Sequence, residues 1–306
     1  MVLAADQSAK GLDEPTDQRR AWLRSEEAVG LTLISPTVLF ALFMLGIPIL
    51  MVFAYSFWSQ NYLEIDRSFT LENYRAALTE PIYRDLLTRS LTISLVVSMF
   101  TVVASYPVAW FISFHGGRHK NLLLFLITVP CWTSYLLRVM SWKMILGYQG
   151  VLNTGLMSAG AITEPIGSLL YNSTAVTITL VHSWAAFAIL PIYVSLEKID
   201  RSLVEAAQDL GDGPVRSFLR VVVPLSMPGV ISALLIVMIP TVGDYVTPRL
   251  VGGKDGVMIA NAIQAQFGKA ANWPLGAALS VTTMVIVSLM AVTIALALKL
   301  VARRIR

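Results

Sequence analysis

The residues best spaced for a specific chemical task lie in a polar stretch, residues 202–229, that separates two long apolar segments. Ser202 and Glu205 have the spacing of a capping box, in which each side chain binds the other residue's backbone amide at the start of a helix. An amphipathic helix of about two to three turns is expected to follow, with its apolar residues along one edge. It is expected to end at Gly211, because glycine adopts the left-handed conformation of a helix terminus without steric cost. This pattern predicts a helix that a partner recognises.

Small residues and prolines complete the stretch. Ala206 and Ala207 leave room for the close approach of a partner, and Leu210 extends the apolar edge. Pro214 suits the first turn of a second helix, because its missing amide hydrogen would have no helical acceptor there. Pro224 marks the entry to the next apolar segment. We therefore expect recognition, and not catalysis, in this stretch.

Catalytic and metal chemistry is not indicated elsewhere. The three histidines are His115, His119 and His182, and none accompanies a nucleophile motif or a second ligand at metal spacing. Cys131 is the single cysteine, so an internal disulfide is excluded. The sequence also lacks a Gly-rich phosphate loop of the Walker type. We expect no catalytic residue, metal or cofactor in this chain, and ATP, if it drives the function, must be hydrolysed by a separate chain.

Composition predicts the class of protein. The 306 residues are 56% hydrophobic and only 14% charged, whereas soluble domains have about 25% charged residues. Several segments without Asp, Glu, Lys, Arg or His reach the roughly 20 residues that cross a bilayer. These uncharged segments are residues 28–63, 90–114, 165–181, 183–196, 221–243 and 270–298. We therefore expect an all-α polytopic membrane protein with six transmembrane helices in a lipid bilayer, and no nucleic-acid partner.

The same segments divide the chain into parts. The predicted parts are a polar cytoplasmic tail at residues 1–27, the first transmembrane helix at 28–58, a periplasmic loop at 59–89 with a short surface helix at 70–78, and a transmembrane core at 86–300 that includes a cytoplasmic loop at 197–224. The helices of the core are expected at about residues 90–114, 122–145, 175–196, 225–242 and 276–298, and the helix at 122–145 is expected to be broken by Pro130.

The distribution of basic residues predicts the orientation. With six spans both termini lie on one side, and the segments of that side contain 14 of the Lys and Arg residues against 7 in the opposite loops. Short loops rich in Lys and Arg stay in the cytoplasm. The N-terminus, the C-terminus and the 202–229 stretch are therefore predicted to be cytoplasmic.

The spacing within the polar stretch resembles a known signature. It consists of Glu205-Ala206-Ala207, three residues, Gly211, nine residues, and then the run Val221 to Pro224. This is similar to the cytoplasmic signature of permease subunits of binding-protein-dependent ABC importers. In that family the signature forms a coupling helix that docks in a groove of the ATPase subunit. The alternative is a loop helix that packs only on its own bundle.

The resemblance covers roughly residues 30–300 and is greatest to the spermidine/putrescine branch. It implies the type I importer permease fold in a bacterial inner membrane. The implied partners are a second permease in a heterodimer, two ATPase subunits that use ATP and Mg, and a periplasmic solute-binding protein. The segments that carry the resemblance outside the signature are Pro130–Arg138, Gly150–Asn153, Leu190–Tyr193, Val242–Pro248 and Leu250–Gly253.

Candidate residues for a substrate pathway lie near the predicted outer side. Asp244 and Tyr245 could hold an ammonium group by charge and cation–π contact, or Asp244 could satisfy local amides in a turn. Three aromatic residues could line a passage or form an interfacial belt. They are Trp132, Tyr135 and Trp184.

Three further ionisable residues lie within the predicted spans. Arg138 could be functional or could extend its side chain to interfacial water, as expected also for Lys143. His182 is expected to be hydrogen-bonded within the bundle. The competing functions are a secondary carrier or channel that acts without an ATPase, and a purely structural subunit.

Overall fold

The computed structural model describes residues 26–62 and 64–305, which are mostly helical. The predicted 1–27 tail lies outside the described residues except for its last two positions. The α-helices are α1 (Glu26–Tyr55), α2 (Glu72–Thr79), α3 (Pro81–His115), α4 (Lys120–Thr128), α5 (Tyr135–Leu146), α6 (Val151–Ser158), α7 (Ser173–Glu197), α8 (Arg201–Asp209), α9 (Pro214–Ser217), α10 (Val223–Val242), α11 (Ile259–Phe267) and α12 (Trp273–Ile305). Short 3-10 helices are Gly117–His119, Val129–Trp132 and Gly167–Leu169, and π-helical turns are Phe218–Val222 and Pro248–Gly252.

Helix α1 forms a unit of its own. Its segment Val29–Tyr55 is long and apolar enough to cross a membrane. Pro36 and Pro48 lie inside it. Proline is tolerated in transmembrane helices because neighbouring groups satisfy the carbonyls that it leaves free.

The centre of the second unit is formed by α3, α7 and α10, which pack against one another. Their contact surfaces are rich in small and hydroxyl-bearing residues, which allow close approach of helices in a membrane. At the α7–α10 crossing, a Cβ atom on Gly229 would lie 2.5 Å from the carbonyl oxygen of Pro191. The buried serine and threonine residues of α3 are Ser90, Ser94, Ser98, Thr101, Ser105 and Ser113.

Five helices of the described residues are long and apolar enough to span a membrane, and there are six if a bent pair is counted as one span. The bent pair consists of Gly117–Trp132 and Tyr135–Ser158, which meet at 87°. This agrees with the prediction of a third span at about residues 122–145 that is broken by Pro130, although the second arm extends to Ser158. Pro130 lies in the 3-10 turn that ends the first arm, where it has no amide hydrogen to continue the helix, and Thr133 is extended before the second arm.

Two other spans begin earlier than the sequence indicated. Helix α3 begins at Pro81 and not near residue 90, because proline is well suited to the first helical position. The fifth span is helical from Pro214 to Val242, and not only from residue 225. Its π turn contains a bond from the Val223 amide to the Phe218 carbonyl, and this wider turn leaves room for Pro224.

Residues 59–66 contain a two-stranded sheet that was not predicted. Strands β1 (Ser59–Asn61) and β2 (Glu64–Asp66) are antiparallel, with Gln60 opposite Ile65. The side chain of Gln60 donates to the Ala271 carbonyl at 2.8 Å and accepts from the Trp273 amide at 3.1 Å. The sheet is thereby joined to the start of α12. The short helix predicted at 70–78 is confirmed as α2.

Candidate functional site

Helix α8 begins one residue before the predicted capping box. Its N-cap is Asp200, whose Oδ1 accepts from the Ser202 amide at 3.0 Å. This backbone hydrogen bond lowers the pKa of the Asp200 carboxyl group. The predicted Ser202–Glu205 box is therefore wrong, because the preceding carboxylate already binds the amide of the second helical residue. The side chain of Glu205 is exposed, and no hydrogen bond or ion pair holds it within the described part of the chain.

The end of α8 has the geometry predicted for it. Gly211 has a φ of +92°, in the left-handed region. Its amide donates to the Gln208 carbonyl at 2.9 Å, and the Asp212 amide donates to the Ala207 carbonyl at 3.1 Å. These two bonds form a Schellman motif, which satisfies carbonyls that the helix leaves free. Pro214 is the first residue of α9, as predicted.

The inner side of this loop is fixed by packing and by ion pairs. Val204 and Phe218 pack against the central hydrophobic core. Asp212 Oδ1 lies 3.0 Å from Arg216 Nε, and Asp212 Oδ2 lies 3.4 Å from Arg220 Nη1. The loop is thus anchored to the bundle from one side.

The outer side of the loop exposes apolar groups. Leu203, Ala206 and Leu210 are spaced for one face of α8, and all three are exposed, Leu210 to 90%. Val215 and Leu219 are also more than half exposed. Ala207 is half-buried, and Pro224 is buried inside the fifth span, away from the exposed loop. The structure therefore separates Pro224 from the other residues of the signature.

Asp244 is buried in a turn after α10. Its Oδ1 accepts from the amides of Val246 at 2.9 Å and Thr247 at 3.3 Å, while Oδ2 accepts from the Tyr135 hydroxyl at 2.5 Å. The Tyr135 hydroxyl also lies 2.6 Å from Thr247 Oγ1. Of the two alternatives, Asp244 therefore satisfies local amides in a turn. Its hydrogen bond to Tyr135 of the third span was not predicted.

The other predicted pathway residues are only partly brought together. The Trp184 ring lies 6.5 Å from the ring of Tyr135. Trp132 is exposed and meets the Phe125 ring edge-to-face at 5.3 Å. Tyr245, adjacent in sequence to Asp244, lines a separate cavity of about 490 Å³ between α10, α11 and α12. Asp244 and Tyr245 therefore do not form one site.

Arg138 connects the break in the third span to α7. Its Nη1 donates to the Ser183 carbonyl at 3.0 Å, and its Nη2 donates to the carbonyls of Pro130 at 2.7 Å and Thr133 at 3.3 Å. The side chain is thus bound to three backbone carbonyls and remains half-buried. The sequence feature that could have predicted these contacts is the position of an ionisable residue just after an apolar run that a proline interrupts. His182 accepts from Trp142 Nε1 at 3.1 Å, which confirms the expected hydrogen bond.

Comparison with known proteins identifies the family. Residues 94–306 match the family described as "Binding-protein-dependent transport system inner membrane component". Similar relatives are the spermidine/putrescine transport system permease proteins PotB of Salmonella typhimurium, 37% identical over 87% of this chain and 91% of the relative, and of Escherichia coli, 38% identical over 80% and 88%. The PotB protein of Haemophilus influenzae is 36% identical over 86% of this chain and 92% of the relative.

Solved structures agree at the level of the fold. A bacterial ABC transporter that imports the acidic polysaccharide alginate matches 94% of this chain and 98% of that chain, with a TM-score of 0.69 at 16% identity. A bacterial alginate ABC transporter in complex with an alginate pentasaccharide-bound periplasmic protein matches 95% of this chain and 97% of that chain, with a TM-score of 0.70 at 16% identity. The predicted type I importer permease fold and the resemblance to the spermidine/putrescine branch are confirmed. The chain belongs to the family of inner membrane components of binding-protein-dependent transport systems, as a permease subunit and not an enzyme.

Proposed function

We propose that this chain forms half of the translocation pathway of an ATP-driven importer of spermidine, putrescine or a related small cationic solute. The substrate class is supported by three PotB relatives that align with at least 88% of their own length. The proposed complex contains a second, different permease, two ATPase subunits and a periplasmic solute-binding protein. Both termini and the α8 loop face the cytoplasm in this proposal, in agreement with the distribution of Lys and Arg.

The single observation that carries the coupling role is the shape of α8. It is a capped helix whose inner side is packed on the bundle, while Leu203, Ala206 and Leu210 remain exposed. An exposed apolar edge on a short helix fits a hydrophobic groove of a partner. Because the sequence lacks a phosphate loop, the partner in this proposal is the ATPase. Glu205 would contribute a charged contact beside the apolar edge, and Gly211 would keep the helix end in place.

The solute would pass along residues whose rings are accessible. Of the five predicted pathway residues, Trp132 and Tyr245 are exposed, whereas Asp244 is occupied by its own turn. Tyr135 and Trp184 would support the wall of the passage behind them. Aromatic faces attract ammonium groups, which agrees with a polyamine substrate.

The coupling proposal is tested with Glu205→Ala, with Leu210→Asp and with the double variant, each in the complete complex. We expect all three variants to insert into the membrane, to lose co-purification with the ATPase and to lose uptake of radiolabelled spermidine. Leu78→Asp is a matched control, because Leu78 is an exposed apolar residue of α2. Normal ATPase binding and uptake by the Glu205→Ala, Leu210→Asp double variant would refute the proposal. Uptake by the permeases without ATPase or ATP would indicate a secondary carrier or channel.

A further inference from the structure

Three helix ends meet at the carboxylate of Glu197, the last residue of α7. Its Oε1 accepts a hydrogen bond from Lys120 Nζ at 2.6 Å. Its Oε2 accepts from Ser113 Oγ at 3.0 Å. Lys120 is the first residue of α4, and Ser113 lies in the last turn of α3. One carboxylate therefore fixes the ends of α3 and α7 and the start of α4.

Arg201 extends this group of contacts to α8, of which it is the first residue. Its Nη2 donates to the carbonyl of Ser113 at 2.7 Å, and its guanidinium carbon lies 3.6 Å from the centroid of the Phe114 ring. The carbonyls in the last turn of a helix lack amide partners within the helix and carry partial negative charge. Arg201 therefore binds α8 directly to the end of α3. We name Lys120, Glu197, Ser113 and Arg201 the junction.

The location of Glu197 is unfavourable in isolation. A carboxylate in the last turn of a helix is repelled by the negative end of the helix dipole, and the contacts with Lys120 and Ser113 offset this cost. The side chains of Lys120 and Glu197 are 25% and 39% exposed, and an ion pair this exposed adds little to stability. Residues that break a local rule are found mainly where function requires them. The junction is therefore better explained by the positions that it fixes than by the stability that it adds.

We propose that Glu197 is a positioning residue that holds α8 in a fixed relation to α3 and α7, so that a displacement of α8 is transmitted to both helices. The inference rests on the proposed function, because the ATPase would supply the displacement. Glu197 sets the distance between the two helix ends, and Arg201 carries the displacement from α8 to α3. Without the junction, the packing of Val204 and Phe218 still holds the loop to the bundle, but less of a displacement of α8 reaches α3 and α7.

The test compares three variants of the complete complex in proteoliposomes with its binding protein. Glu197→Lys places its ammonium group beside that of Lys120. The Lys120→Glu, Glu197→Lys double variant restores the ion pair with the two charges exchanged between the positions. Glu164→Lys is the matched control, because Glu164 is exposed in the loop after α6 and has no partner within the described residues. The measured quantities are ATPase co-purification, ATPase rate and radiolabelled spermidine transported per ATP hydrolysed.

We expect the Glu197→Lys complex to retain bound ATPase and its rate of ATP hydrolysis, while the spermidine transported per ATP falls about fivefold. This fall corresponds to the loss of one interaction between residues in direct contact. The exchange should restore the ratio to within about twofold, and Glu164→Lys should leave it unchanged. An unchanged ratio in Glu197→Lys, or no recovery in the exchange, would overturn the inference. Should Glu197→Lys not assemble, Glu197→Gln keeps the shape without the charge and should lower the ratio about twofold. Failure of the proposed function is distinguishable, because the unsubstituted chain would then not bind the ATPase.

Discussion

Replacement of Gly211 by alanine isolates the contribution of one backbone conformation to α8. Gly211 has a φ of +92°, and a Cβ built on it meets no atom within 4 Å. A substitution there is therefore strained by its own backbone and not by neighbours. Gly213 lies two residues on, also in open space, but its φ of −66° and ψ of 167° are available to any residue. The same change at the two glycines separates conformational strain from every other effect of an added methyl group.

The expected magnitude follows from this geometry. A left-handed conformation costs a residue with a Cβ roughly 1–2 kcal/mol. A loss of about 1 kcal/mol changes an equilibrium constant by a factor of about five. At Gly213 alanine is expected to be neutral or to stabilise by up to about 1 kcal/mol, because it restricts only the unfolded chain. An isolated helix as short as α8 is marginal, so its opening equilibrium responds to changes of this size.

Hydrogen exchange measures this equilibrium directly. The amides of Leu210, Gly211 and Asp212 are bonded to carbonyls of α8 and are protected while the helix end is formed. We expect Gly211→Ala to accelerate their exchange about fivefold or more, and Gly213→Ala to leave it unchanged or slower. Equal exchange in the two variants would refute the assignment of Gly211 as the helix-terminating residue.

Three further predictions follow from individual contacts. Hydrogen bonding lowers the pKa of Asp200 in the folded state, so its stabilisation of α8 is complete above the unfolded pKa of about 3.9 and is lost as pH falls through the lower folded pKa. Asp200→Asn should therefore remove the acid dependence of hydrogen exchange in α8. A retained acid dependence would contradict the assignment of Asp200 as the N-cap. Gly229→Ala should destabilise the complex by about 1–3 kcal/mol in thermal unfolding, because its Cβ would meet the Pro191 carbonyl oxygen at 2.5 Å; Gly243→Ala, whose nearest atom is at 3.7 Å, is the control and should be close to neutral. Asp244→Asn should lower the unfolding temperature and keep the half-saturating spermidine concentration within about twofold of that of the unsubstituted chain. Tyr245→Leu should raise that concentration about threefold. If Asp244→Asn alone raised the concentration, Asp244 would have a role in binding the solute.

Much of the fold and part of the candidate site were predictable because they depend on neighbouring residues. The prolonged absence of charge indicates a membrane span wherever it occurs, since each span must satisfy the bilayer by its own composition. The termination of α8 at Gly211 and the start of α9 at Pro214 are likewise local, because each depends on the conformation of a single residue. The start of α8 was misplaced by two residues, because Asp200 and Ser202 are both good N-caps and the sequence does not decide between them.

Tertiary structure decided the contacts between distant parts of the chain. Asp244 and Tyr135 are 109 residues apart, and their hydrogen bond exists only because the third span breaks at residues 133 and 134. The same holds for Arg138 and for the junction, where the partners of Glu197 come from two other helices. Local composition is enough to predict which segments are apolar enough to cross a membrane, and the conformation of a single glycine is enough to predict where the exposed signature helix ends. The rotation and bending of each helix depend on packing against all the others, and these determined which polar side chains meet.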